Sequence, residues 1–108
     1  MENFTKEYEK MVEVWGEESQ IDMALEEMAE LTQALCKYKR IKKNYFGDAD
    51  VNAEKAKKNA DNINEEIADV INMVAQLRIM FDTEKIDEIR KEKIDRTMKF
   101  LEEQKSDE

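Results

Sequence analysis

The chain has 108 residues, 27 of them Asp or Glu against 18 Lys or Arg, for a formal net charge of −9. That length suits one domain with a modest core, and the acidic balance disfavours non-specific nucleic-acid binding, which demands clustered cations. With no proline, no histidine, two glycines and one cysteine, long helices are expected, a β-rich fold is not, and an internal disulfide is impossible.

No apolar run approaches membrane-spanning length and the first residues lack a signal-peptide core, so a cytoplasmic protein without a membrane partner is expected. Lone Cys36 suits that reducing compartment. Along the chain, Phe4, Tyr8, Met11 and Trp15 recur at i, i+4, i+7 and i+11, which predicts a short amphipathic helix that Gly16 can terminate. Trp15 reads as a core residue, with stacking against a base as the alternative. Ser19, followed three residues later by Asp22, resembles a capping box for the next helix.

That helix carries an apolar seam at Ile21, Ala24, Met28, Leu31, Leu35 and Tyr38, with steps of three and four. It ends in Lys37-Tyr38-Lys39-Arg40-Ile41-Lys42-Lys43, whose cations complement the negative end of the helix dipole. Only Lys37 falls on the side of the acidic pairs described below, and nucleic-acid binding by this cluster would lack an aromatic platform beyond Tyr38 and Tyr45. Asn44 to Asp50, with Gly47, reads as a turn. A second long helix, which Asp50 or Asn52 could cap, carries the seam Ala53, Ala56, Ala60, Ile63, Ile67, Val70, Val74, Leu77 and Phe81. After a break at Asp82-Thr83, Ile86, Ile89, Ile94, Met98 and Leu101 mark a last helix. Lys93, Arg96 and Lys99 share one side of it, most simply as a solvated face. One domain over residues 1–102 and a polar, frayed tail over 103–108 are expected. The fold class is therefore all-α, an antiparallel helical hairpin with flanking N- and C-terminal helices.

Each hairpin helix also places two carboxylates at i and i+3, Glu27 with Glu30 and Glu66 with Asp69, hence on one face. Each sits one residue before a seam position, in a row that also holds Gln20, Met23 and Ala34 on one helix and Met73 and Gln76 on the other. The carboxylates should therefore flank the core. A fold-over at position 48 sets Glu27 opposite Asp69 and Glu30 opposite Glu66, because helices rising from a shared turn keep equal heights. Four carboxylates in one volume need a positive partner or protons. Oxygen-only ligation selects Mg²⁺, with Mn²⁺ as a substitute, and the absence of histidine excludes ordinary zinc sites and the Glu-x-x-His di-iron arrangement. Glu26, turned about 100° from Glu27, could hold a ligand or position an attacking water. Asn72, three residues after Asp69, could donate to a phosphate, hold a carboxylate or lie exposed.

Glu26-Glu27-x-x-Glu30 and Glu66-x-x-Asp69, with the phrasing Trp15-Gly16-Glu17-Glu18-Ser19-Gln20, resemble the MazG-like all-α nucleoside triphosphate pyrophosphohydrolases over residues 10–100. The phrasing is also similar to that of small, often phage-borne, members. The resemblance implies Mg²⁺-dependent cleavage of an NTP or dNTP to the monophosphate and pyrophosphate. It implies a MazG-like bundle completed as a homodimer or homotetramer, metal ligation by Glu27, Glu30, Glu66 and Asp69, and phosphate contact by Lys93 and Arg96. It also implies a nucleobase contact at Gln20. The segment Asn44 to Asn62 is longer than the family's usual connection. Two other functions compete: a non-catalytic acidic helical bundle that binds a protein partner, and a phosphoribosyl-ATP pyrophosphohydrolase. The latter's usual pattern has a histidine after the second motif, which this chain lacks.

Overall fold

A computed structural model describes residues 3–43 and 49–106, all helical apart from short breaks. The helices are α1 (Thr5–Trp15), α2 (Glu17–Lys42), α3 (Ala49–Met80) and α4 (Thr83–Ser106). The expected turn with Gly47 and Tyr45, and the pivot at 48, lie outside the described residues. No described helix is long and apolar enough to cross a membrane.

One glycine joins α1 to α2. Gly16 has φ 81° and ψ 165°, a combination open to glycine and strained for any residue with a Cβ. Its N–H donates to Val12 O at 2.9 Å, while its own carbonyl accepts from Gln20 N–H at 3.0 Å. It thus closes one helix and opens the next, and α2 begins at Glu17 without a side-chain cap. The expected Ser19 capping box is not formed, because Ser19 is already inside the helix. Asp50 and Asn52 likewise lie within α3, in its first turn, rather than ahead of it.

The break between α3 and α4 is built from side chains. Asp82 Oδ1 accepts from the Lys85 N–H at 3.1 Å, an N-cap, and Thr83 Oγ1 donates to Arg78 O at 3.0 Å. Arg78 pairs with Asp87 across the corner at 2.9 Å. The helix then runs to Ser106, past the expected fray point at Glu103, with nearly all of its length exposed.

α2 and α3 pack along their lengths and are antiparallel: Asn59 Nδ2 donates to Ala34 O at 3.4 Å, and Glu27 meets Glu66 nearer the far end. Half of the expected seam serves this contact, since Ala24, Leu31 and Tyr38 face inward with Ala56, Ile63, Val70 and Leu77. The other half does not. Met28, Leu35, Ile67 and Val74 are exposed, and the interface instead uses the row Gln20, Glu27, Ala34, Ile41 against Asn52, Asn59, Glu66, Met73. Both rows repeat every seven residues. The apolar arc on each helix is wider than one interface, so the hairpin buries one flank and leaves the other outside. The buried row is correspondingly polar: the buried residues include Gln20, Asn52, Asn59 and Gln76 beside Ala24, Ala34, Ile41 and Met73.

α1 covers one end of the hairpin, where Tyr8 Oη donates to Asn72 Oδ1 at 2.8 Å. None of its residues is fully buried. Trp15, expected in the core, is 51% exposed, because it lies at the C-terminal end of α1 where the chain turns away into Gly16.

Candidate metal centre

Glu27 and Glu30 project from the middle of α2, and Glu66 and Asp69 from the middle of α3. Glu27, Glu66 and Asp69 each bring a carboxylate oxygen within 4.8 Å of the other two. Glu30, more exposed, lies within hydrogen-bonding reach of both Glu27 and Glu66. Three of the four carboxylates expected to meet bring their oxygens together, and Glu30 acts on two of them, in a different register from the expected one. The Ala34–Asn59 bond puts the mirror point between residues 46 and 47 rather than at 48. Glu27 therefore lies opposite Glu66, and Asp69 reaches the cluster from the neighbouring turn. The exchange leaves the cluster intact because a slip of one helical turn returns an i, i+3 pair to the same face.

The electrostatics of this cluster are uncompensated. Burial, followed by the charges of Glu30 and Asp69, raises the pKa of Glu27 and of Glu66 above the ordinary 4.5. Among the described residues, no cation figures in the causes of either shift. One oxygen on each, Oε2, is buried without a hydrogen-bond partner. A buried carboxylate oxygen with no donor costs free energy that a proton, a cation or an ordered water relieves. The donor set fits a hard divalent ion: it is all oxygen, it is anionic, and it is half-buried between two rigid helices. Cys36 is exposed on α2 and takes no part.

The other expected site residues are placed differently. Glu26 is exposed and outside the trio of converging oxygens. Asn72 is exposed, with its carbonyl oxygen engaged by Tyr8 and no partner for its NH₂ among the described residues. Gln20 is not a surface group: it is 0% exposed, and its Nε2 donates to Met11 O at 3.3 Å. It sits on the hairpin-facing row, beside α1. Trp15 lines an open depression with Gly16, Glu17, Glu18, Ser19 and Asp22, about 440 Å³ in volume. Lys93 and Arg96 stand together on α4 with Thr97 and Phe100, around a shallow hollow. Among the described helices α4 packs on α3 alone, so these cations stand apart from the carboxylates within one chain.

Sequence reasoning placed Gln76 on the row beside the seam and gave Asn52 only as a cap, and it missed the buried amide Asn59 and the Tyr8–Asn72 link. The signal for the two buried asparagines was present, since Asn52 and Asn59 precede Glu66 at strict seven-residue intervals. No protein family, no curated protein and no solved structure matches the chain.

Proposed function

We propose that this protein is a Mg²⁺-dependent nucleoside triphosphate pyrophosphohydrolase of the MazG-like all-α kind. The observation that carries the reading is the meeting of Glu27, Glu66 and Asp69 across the hairpin, with Glu30 acting on the two glutamates and two buried oxygens that no protein donor serves. Their spacing is that of the motif the sequence resembles. Divalent ions held there would polarise a phosphate and lower the pKa of a bound water, the chemistry that anhydride hydrolysis needs.

The chain's own residues supply the rest. The four carboxylates hold and orient the metal, and the α2–α3 packing fixes their spacing. Asn72, one turn beyond Asp69, is tethered by Tyr8 so that its NH₂ is left to donate to a phosphate oxygen. Glu26, adjacent to the cluster but turned toward solvent, is the group left to position water. Lys93 and Arg96 serve a phosphate chain only from another copy of the protein.

A homo-oligomer is part of this reading. The radius of gyration is 18.6 Å, against about 13 Å for a compact chain of this length. Accessible surface is 8946 Å², roughly 2,700 Å² per chain above the size expectation for a folded monomer, an excess on the scale that obligate dimer interfaces cover. Met28, Leu35, Ile67, Ile71, Val74 and Phe81 are the exposed apolar side chains of the hairpin's outer flank. A second copy laid against that flank covers it and brings a second α4 near the carboxylates.

The test is pyrophosphate release from each NTP and dNTP with Mg²⁺. Glu30→Ala and Asp69→Ala should each lower turnover at least about 100-fold while circular dichroism shows unchanged helicity. Absence of turnover with every triphosphate, together with no Mg²⁺-dependent thermal shift, would instead leave a binding module with an apolar docking flank.

A further inference from the structure

Beyond the carboxylate cluster, toward the turn end of the hairpin, the same α2–α3 groove opens into a cavity of about 380 Å³ lined by Lys37, Ile41, Lys55, Lys58, Asn59 and Asn62. That volume falls in the range of roughly 300–1,000 Å³ typical of small-molecule sites. Three lysines and no carboxylate line it, in a chain whose net charge is −9. The arrangement follows from helical spacing: Lys55, Lys58, Asn59 and Asn62 share one face of α3, and Lys37 and Ile41 are one turn apart on α2. Lys37 and Lys58 form no ion pair with the described residues, whereas lysines on α4 pair with neighbouring acids.

A second observation lies in the cavity wall. Asn59 is 5% exposed, its Nδ2 is taken by Ala34 O, and its Oδ1 is buried without a donor. That acceptor, in the wall of a cavity lined by lysines, is satisfied when a donor such as an ordered water is held there. Ile41 and the lysine stems form an apolar floor, so a charge bound there is partly shielded from solvent and its attraction to the ammonium groups is strengthened.

We propose that this cavity is a binding site for a phosphate-class polyanion. Lysine binds phosphate as a point charge, and Lys37 and Lys58 with the Asn62 carboxamide match a multiply charged tetrahedral oxyanion better than a planar carboxylate, for which an arginine fork is the usual partner. The site is separate from the metal centre yet continuous with it. Asn62 precedes Glu66 by four residues, a rise of about 6 Å along α3. Two sources of the phosphate therefore arise: the distal phosphates of a substrate anchored at the carboxylates, which rests on the function proposed above, or free pyrophosphate or phosphate, which does not.

Titration of inorganic pyrophosphate into ¹⁵N-labelled protein in EDTA tests the site without any metal. The expected result is a saturable shift of the Asn59 and Asn62 side-chain amide signals, weakened at least about tenfold in Lys37→Gln/Lys58→Gln and retained in Glu66→Gln. No saturable shift, or an unchanged titration in the double variant, overturns the proposal; the two single variants carry the same comparison should the double variant lose helicity. Kinetics then separate the sources. A raised triphosphate KM at constant kcat in the double variant assigns the pocket to the substrate's phosphates, and relief of pyrophosphate inhibition at constant KM assigns it to the free anion. A protein that turns over no triphosphate would remove the pyrophosphohydrolase reading, while the titration would still decide the pocket.

Discussion

Glu66 concentrates the tension at the centre of the molecule. Burial, Glu30 and Asp69 all raise its pKa above 4.5, and Glu27 is raised by the same kinds of cause. An acid whose pKa is higher in the folded than in the unfolded chain binds more protons when folded. Its contribution to stability is therefore most favourable at acid pH and is lost as pH rises above 4.5 toward the raised value. In EDTA, the thermal midpoint should fall between about pH 5 and pH 7, and Mg²⁺ at neutral pH should restore it. General repulsion in an acidic chain acts in the same direction, so Glu66→Gln is the control. That variant should melt higher than the parent at pH 7 in EDTA and respond less to Mg²⁺. Circular dichroism melts check both points, and equal midpoints for the two proteins in EDTA would remove the claim of strain at this residue.

Two corners set the paths of the helices, and each depends on a different physical device. Gly16 adopts a positive φ with no atom within 4 Å of where a Cβ would stand. Gly16→Ala therefore meets no steric neighbour, and its cost is backbone strain alone, about 1–3 kcal/mol. Asp82 instead supplies a cap to the Lys85 N–H, and Asp82→Ala should cost about 0.5–2 kcal/mol. Urea unfolding measures both. The two losses should be distinguishable by location: hydrogen exchange should quicken around α1 in the first variant and in the first turn of α4 in the second. The hairpin itself rests on a heptad interface in which polar side chains occupy half of the buried positions. An element of this kind is held by register as much as by apolar burial, as the Asn59 bond to Ala34 illustrates.

One chain leaves a wide apolar flank and a nearly bare α4, and its surface exceeds what a folded monomer of its mass presents. If a second copy covers that flank, a charge placed there is expelled from the interface. Met28→Lys or Ile67→Lys should shift the protein toward monomer in light scattering, and should lower turnover because Lys93 and Arg96 then lose access to a neighbouring site. Both positions are already exposed in the single chain, so helicity should persist. Unchanged oligomeric mass in both variants would rule out this flank as the contact.

The sequence by itself determined the helices and the pairing of the acids, because spacings of three, four and seven act within one helix and need no information from elsewhere. Glu27 with Glu30, and Glu66 with Asp69, share a side of their helices in any fold that keeps those helices. Only the tertiary structure decided which flank of a broad apolar arc turns inward. That choice buried Gln20 and exposed Met28, and it moved the acids from beside the contact into it. The same choice placed Lys37 over Lys55 and Lys58 and left Trp15 at the surface. Two flanks of similar hydrophobicity differ in how their side chains interlock with the opposing helix, and that fit is a property of two surfaces together.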